Sequence, residues 1–101
     1  VMYLKQLLIE NKKELEKYCL KNQIIFFGLF GSFVRGEANK NSDIDILVDF
    51  YKPKSLMDIG GIQYDLEKSL GRPVDLVSKK NIKPALRKNI LSDVKVLYEK
   101  K

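Results

Sequence analysis

The chain contains no histidine, no tryptophan and only one cysteine, Cys19. Without histidine, Ser-His-Asp triads, histidine acid–base catalysis and nearly all catalytic zinc sites are excluded. A single cysteine excludes an internal disulfide and any multi-cysteine metal site. Any chemistry must therefore rest on carboxylates, hydroxyls, lysines or a hard metal ion.

Long apolar segments are also absent. The longest apolar run extends only from Ile24 to Phe30, whereas a membrane-spanning helix needs roughly 20 apolar residues. No cationic start followed by an apolar stretch marks a secretory signal, so we expect a cytoplasmic protein that does not contact a membrane. The length of 101 residues and the hydrophobic content of 45% are typical of one globular domain, which we expect to comprise residues 1–101.

The positive charge is concentrated at one end of the chain. Residues 79–101 contain eight basic and two acidic side chains, which accounts for the whole net charge of +6. Such a segment is either a solvated lysine-rich face or a contact for nucleic acid, nucleotide phosphate or an acidic protein surface. Residues 1–78 are neutral, and Tyr98 is the one aromatic residue among the lysines, so we expect no nucleic-acid partner.

Hydrophobic periodicity predicts the order helix, strand, strand, helix, strand, helix, strand. The predicted helices are residues 3–21, 56–70 and 81–91, and the predicted strands are residues 24–30, 43–50, 73–78 and 94–98. Because the middle strands do not alternate regularly with helices, a fully parallel sheet is disfavoured. We predict an α/β (α+β) fold with a small mixed sheet and helices packed on one face.

Carboxylates occur at unusual places in two of the predicted strands. Asp43 and Asp45 leave the same face of strand 43–50, with Cα atoms about 6.5 Å apart. Two such charges repel each other unless a cation neutralises them, and magnesium binds carboxylates and phosphates without needing histidine. Asp75 interrupts an otherwise apolar strand, where a carboxylate is either solvent-facing at an edge or bound to a cation.

A Gly-Ser turn follows the buried strand 24–30. Gly31 would let a phosphate approach the backbone, and the Ser32 hydroxyl and nearby N–H groups could donate hydrogen bonds to it. Arg35 adds a guanidinium, which suits phosphate. Taken alone, Gly-Ser is also compatible with a plain strand-ending turn, and the P-loop pattern is missing.

Taken together, these residues form a recognisable motif. The sequence has Gly31-Ser32 and then, after ten residues, Asp43-Ile44-Asp45, with Arg35-Gly36 and Ser42 between them. This resembles the signature of the DNA-polymerase-β-like nucleotidyltransferase superfamily. The segments GSFVRGE, SDIDILV and VDLV are more closely similar to the minimal nucleotidyltransferases, the antitoxins of HEPN–MNT toxin–antitoxin modules, and the resemblance covers about residues 24–98.

The resemblance implies a palm-like mixed sheet and a defined site. Two magnesium ions, with manganese as a substitute, would bind Asp43, Asp45 and Asp75, and these would be the catalytic residues. ATP would be the donor, with Gly31 and Ser32 at its β- and γ-phosphates and with Arg35 and Ser42 completing the nucleotide-binding set. AMP would be transferred to a tyrosine of a partner HEPN toxin, silencing its ribonuclease activity.

Three hypotheses therefore stand at this stage: a protein adenylyltransferase acting as an antitoxin, an antitoxin that acts by binding alone, and a nucleic-acid-binding module. The complete set of three aspartates and the Gly-Ser turn favours the first over the second, because a binder has no need of all five residues. The neutral charge of residues 1–78 argues against the third.

Overall fold

A computed structural model describes residues 12–100. Its elements are α1 (Lys12–Lys21), β1 (Ile24–Phe30), α2 (Ser32–Arg35), β2 (Ile44–Phe50), α3 (Leu56–Leu70), β3 (Val74–Ser78), a 3-10 turn (Lys79–Asn81), α4 (Pro84–Asp93) and β4 (Lys95–Glu99). The predicted elements are confirmed to within three residues at each end, except that the part of helix 3–21 before residue 12 lies outside the described residues. The single turn α2 was not predicted.

The four strands form one mixed sheet in the order β3-β2-β1-β4. Strand β1 is antiparallel to both β2 and β4, and β2 is parallel to β3. The parallel pair requires a crossover connection, which α3 supplies. This arrangement confirms the predicted mixed-sheet α/β fold.

The main core lies on one face of the sheet. Because side chains alternate along a strand, Ile44, Ile46 and Val48 of β2 all enter this core and are at most 1% exposed. Helices α1 and α3 cover them with a set of buried residues: Leu15, Cys19, Ile62, Leu66 and Leu70. The apolar stripe predicted for the first helix is thus confirmed for its described part.

A second, smaller core lies on the opposite face. Leu47 is fully buried there, together with Phe26, Phe30 and Ile82. Ile90 of α4 and Val94, the residue that follows this helix, pack against the cluster. The helices are therefore divided between the two faces of the sheet, which corrects the expectation that they all pack on one face: a strand with apolar residues pointing both ways needs cover on both sides.

Strand β1 passes very close to the segment that follows α4. A β-carbon placed on Gly28 would approach Cγ2 of Val94 to 2.6 Å. A glycine at this position lets the end of α4 reach the sheet. Among residues 12–100, no helix combines the length and apolar character needed to span a bilayer.

Candidate active site

Two of the predicted site residues lie side by side on neighbouring strands. In the parallel β2–β3 ladder, Asp45 pairs with Asp75, so their side chains leave the same face on strands about 4.8 Å apart. Both residues line one open cavity. Asp43 precedes β2 by one residue and is exposed to solvent.

The pKa of Asp45 is affected by both neighbouring carboxylates. Burial raises the pKa of Asp45 above its ordinary value, and repulsion from Asp75 and Asp43 raises it further, whereas the Arg35 charge lowers it. Within the described residues, no three acidic or thiol side chains already form a compact metal cluster. Asp45 is partly buried, whereas Asp43 and Asp75 are both exposed, and Asp75 lies on the edge strand β3.

Gly31 is in direct contact with this pair. It follows β1 with φ +82° and ψ −153°, a backbone conformation that is essentially restricted to glycine. A β-carbon on residue 31 would collide with the carboxylate of Asp45. Glycine is therefore required here both by the backbone and by the space that the Asp45 side chain occupies.

The short helix α2 begins directly after Gly31. Ser32, its first residue, is half-buried, and no side chain caps the helix. The N–H groups of Val34 and Arg35 donate to the Gly31 carbonyl, so the N–H groups of Ser32 and Phe33 are the first-turn donors without a partner in the helix. Ser32 follows Gly31 directly, but it is not among the residues that line the cavity beside Asp45 and Asp75.

Arg35 ends α2 and lines the same cavity. Its Nε donates to Glu37 Oε1 at 3.1 Å, and its Nη1 donates to Asp93 Oδ2 at 2.6 Å. These bonds, above all the one to Asp93, raise the pKa of Arg35 above its ordinary value. Sequence reasoning missed Asp93, because 58 residues separate it from Arg35 and no local pattern connects them.

Ser42 lies in the loop that joins α2 to β2. Its hydroxyl accepts a hydrogen bond from the backbone N–H of Asn39 at 2.9 Å, so the side chain has a local structural contact. Arg72, which the sequence analysis did not single out, holds the same loop: Nη1 donates to the carbonyls of Asn39, Lys40 and Ser42 at 3.0, 3.3 and 2.9 Å. The loop leads directly into Asp43.

The cavity has a volume of about 580 Å³, within the range of small-molecule sites. Its lining combines charged residues with apolar ones. The charged residues are Arg35, Asp45, Asp75, Lys83 and Asp93, the apolar ones are Phe30, Val77, Ile82, Leu86 and Ile90, and Gly31, Asn81 and Asn89 complete the lining. A highly charged group with an apolar portion fits such a mixed lining.

Two lysines of the basic C-terminal segment contact residues on the second face of the sheet. Lys80 forms an ion pair with Asp49 at 3.8 Å, and the Lys79 ammonium lies 4.1 Å from the centre of the Phe26 ring. The basic side chains are thus spread over the 3-10 turn, α4 and β4.

Comparison with known proteins agrees with this geometry. Residues 12–97 match the nucleotidyltransferase domain family. The protein adenylyltransferase MntA of Thermococcus cleftensis is 42% identical over 91 residues, covering 90% of this chain and 89% of that protein. A solved structure provisionally assigned as a minimal nucleotidyltransferase has a TM-score of 0.75 at 33% identity and covers 91% of this chain and 93% of its own.

A chain from a toxin–antitoxin complex with AMP-PNP also has a TM-score of 0.75, at 26% identity, and covers 90% of this chain and 75% of that one. The family match extends over most of the sequence, and the likeness to MntA extends over nearly the full length of both chains. This chain therefore belongs to the nucleotidyltransferase domain family, as an AMPylating nucleotidyltransferase of the MntA type.

Proposed function

We propose that this chain transfers AMP from ATP to a tyrosine of a cognate HEPN ribonuclease toxin and thereby neutralises it. The tyrosine oxygen would attack the α-phosphorus, forming an oxygen–phosphorus bond while the bond to pyrophosphate breaks. The products would be an AMP-modified tyrosine and free pyrophosphate. A relative of this chain is named a protein adenylyltransferase, and another belongs to a toxin–antitoxin complex with AMP-PNP, which supports both the donor and the kind of partner.

One observation carries the proposal. Asp45 and Asp75 are paired across a parallel ladder and open into one cavity, with Gly31 leaving room for the Asp45 carboxylate. Like charges at this separation cost stability, and the raised pKa of Asp45 reflects its burial and that repulsion. Such an arrangement is expected where function, rather than folding, requires the charges.

The carboxylates fit a pair of divalent cations. Magnesium or manganese is held in nucleotide enzymes by one or two carboxylates together with substrate phosphates and water. The phosphates of a bound nucleotide can therefore supply metal ligands that the protein does not. Asp43 and Asp45 would hold both ions, and Asp75 would complete the site nearer the acceptor. When bound, two such ions neutralise and align the attacking and leaving oxygens of an in-line displacement.

The remaining residues act on the phosphates and on the proton. The Ser32 hydroxyl and the N–H groups of Ser32 and Phe33 would donate to the β- and γ-phosphates, with Gly31 allowing the close approach. Arg35 would add charge-assisted bonds to the same phosphates. The chain has no histidine, so a carboxylate is a natural acceptor for the tyrosine proton, and Asp75 would take that role.

The partner surface would include α4, which lies beside the cavity. Its exposed side chains combine apolar and basic character, with Leu86 49% exposed and with Arg87 and Lys88 next to it. An acidic helical surface of the toxin would complement these charges, which would speed association more than it would add affinity.

Mass spectrometry tests this proposal. The chain, its cognate toxin, ATP and magnesium are incubated together, and each transferred AMP adds about 329 Da to the toxin, as expected for transfer of a nucleotidyl group. Asp45→Asn and Asp75→Asn should each reduce the rate at least about 100-fold, the scale of losing electrostatic stabilisation at the reacting centre.

Asp49→Asn is the matched control. Asp49 lies on the same face of β2 as Asp45, but it pairs with Lys80 and does not line the cavity, so this variant should retain transfer. Toxin inhibited without any mass change would favour an antitoxin that acts by binding alone. No mass change combined with tight, salt-dependent binding to nucleic acid would favour the third hypothesis.

A further inference from the structure

The ion pair between Arg35 and Asp93 connects two elements that both border the cavity. Arg35 ends α2, Asp93 ends α4, and both residues line the cavity beside Asp45. The bond from Nη1 to Oδ2 is short, at 2.6 Å, just below the range of about 2.7–2.9 Å of charge-assisted N–H···O bonds. No other residue of α4 is bonded to the Gly-Ser turn or to α2 among the hydrogen bonds of the described chain.

The pair is poorly placed to stabilise the fold. The side chains of Arg35 and Asp93 are 45% and 26% exposed, and exposed ion pairs of this kind contribute little to stability. A second carboxylate, Glu37, takes the Nε donor of the same guanidinium at 3.1 Å. Two carboxylates on one exposed arginine therefore need an explanation other than folding.

The N–H donors of the Arg35 guanidinium that stay free suggest an explanation. A guanidinium has five N–H donors in a rigid plane, and Glu37 and Asp93 together use two of them, on Nε and Nη1. Three donors remain, including both on Nη2. Because the group is planar, fixing two of its nitrogens fixes the direction of the third.

We infer that Asp93 is a positioning residue that holds Arg35 in the orientation in which it binds the triphosphate of the nucleotide. This inference rests on the proposed function, which assigns Arg35 to the phosphates. A pre-oriented guanidinium loses less rotamer freedom when the nucleotide binds than a free one does. Helix α4 thus contributes to nucleotide binding through a residue that need not touch the nucleotide.

The sign of one mutational effect separates this role from simple electrostatics. Removing a negative charge near a triphosphate site should tighten binding of the anion if only long-range charge matters. A positioning role predicts the opposite. Calorimetry with AMP-PNP and magnesium should show that Asp93→Asn raises Kd about tenfold, the lower end of the loss expected when a residue that orients a ligating side chain is removed.

Three further variants complete the test. Asp93→Glu should recover most of the affinity, because it restores the carboxylate. Glu16→Gln removes the same charge from the exposed, distant surface of α1 and should leave Kd unchanged. Arg35→Gln combined with Asp93→Asn should bind no more weakly than Arg35→Gln alone, since Asp93 acts only through Arg35.

The outcomes also separate this inference from the proposed function. Unchanged or tighter binding in Asp93→Asn, with binding still abolished in Asp45→Asn, would overturn the positioning role alone. If Asp93→Asn binds more weakly but also loses thermal stability to a matching extent, and Asp93→Glu does not restore binding, the Arg35–Asp93 pair is only a structural contact. A wild-type chain that binds no AMP-PNP with magnesium would overturn both proposals.

Discussion

Gly31 and Asp45 occupy adjoining space: a β-carbon on residue 31 would collide with the Asp45 carboxylate. The contact joins the end of β1 to the start of β2, and those two strands are already paired as far as Phe30 and Asp45. The glycine therefore does two things at once. It permits the backbone turn into α2, and it leaves room for a charged side chain at the edge of the cavity.

Replacing Gly31 should be more damaging than replacing Gly36 at the other end of α2. Gly31→Ala forces alanine into a conformation that costs about 1–3 kcal/mol and also displaces Asp45. Gly36→Ala is the matched control, because Gly36 also has a positive φ of +75° but open space around its missing side chain. It should cost only about 1–2 kcal/mol, the penalty for left-handed backbone.

Urea denaturation measures both effects, and AMP transfer measures the displacement of Asp45. The Gly31 variant should lose transfer even at temperatures where it remains folded, while the Gly36 variant should retain it. Equal stability losses with equal activity in the two variants would mean that the Asp45 carboxylate moves aside freely.

Asp45 should destabilise the metal-free protein. Burial and the neighbouring carboxylates raise its pKa, so its charged form is disfavoured in the folded chain at neutral pH. In the presence of a chelator, Asp45→Asn should therefore raise the free energy of unfolding, by up to about 1 kcal/mol once solvent screening is allowed for. Asp49→Asn loses the contact with Lys80, so its free energy of unfolding should be equal to that of the wild type or slightly lower.

Thermal unfolding with and without magnesium and ATP checks this prediction. Ligands that bind only the folded chain stabilise it, so magnesium with ATP should raise Tm of the wild type more than that of Asp45→Asn. A less stable Asp45→Asn protein under chelating conditions would contradict the prediction and show that the carboxylate is already compensated within the protein.

The sequence predicted the strands well because their signal is local. Strand β1 is a continuous apolar run, and β2 alternates so clearly that the shared face of Asp45 and Leu47 could be derived from spacing alone. The single turn α2 could not be predicted, because four residues are too few to show helical periodicity. The second core was missed because Leu47 stands among aspartates, which made that face look polar.

The site was predicted in part for the same reason. Spacing indicated that Asp43 and Asp45 share a face, but the pairing of Asp45 with Asp75 depends on the register of two strands joined by α3, which no local pattern reveals. Contacts between distant residues were invisible to sequence reasoning, as with Arg35 and Asp93 or Arg72 and the loop carbonyls, the latter separated by 30 to 33 positions. The roles of the site residues stay predictions.

Arg72 should be required for an ordered loop before Asp43. Its guanidinium donates to three loop carbonyls and lies 5.2 Å from the centre of the Phe33 ring. Arg72→Gln should destabilise the protein by about 1–3 kcal/mol, the scale of hydrogen bonds from a charged donor. It should also slow AMP transfer, because the loop positions Asp43.

Limited trypsin digestion reports on the loop directly. Cleavage after Lys40, whose carbonyl is one of the three acceptors, should be faster in Arg72→Gln than in the wild type under conditions where both are folded. Arg87→Gln, a change of an exposed arginine on α4, is the control and should leave cleavage at Lys40 unaltered. Identical digestion of all three proteins would show that Arg72 does not order the loop before Asp43.

The start of α3 should make stability depend on acid pH. Ser55 and Asp58 form a capping box, in which the Ser55 N–H donates to Asp58 Oδ2 at 3.3 Å and the Asp58 N–H donates to Ser55 Oγ at 3.1 Å. Hydrogen bonding with Ser55, through its side chain and then its backbone, lowers the pKa of Asp58. The folded chain thus binds this proton less readily than the unfolded chain, where the pKa is about 3.9.

The sign of the effect follows from that difference. For a carboxyl group with a depressed pKa in the folded state, the stabilisation is complete above the unfolded pKa and is lost as pH falls through the folded one. The wild type should therefore be more stable than Asp58→Ala near pH 7, and the difference should shrink below about pH 4. Asp58→Asn keeps an acceptor for the Ser55 N–H but cannot titrate, so its stability should lack this acid-dependent component. Urea denaturation of the three proteins from pH 7 to pH 2.5 measures these free energies of unfolding. A constant difference between wild type and Asp58→Ala across that range would show that the charge of Asp58 does not contribute to the stability of the capping box.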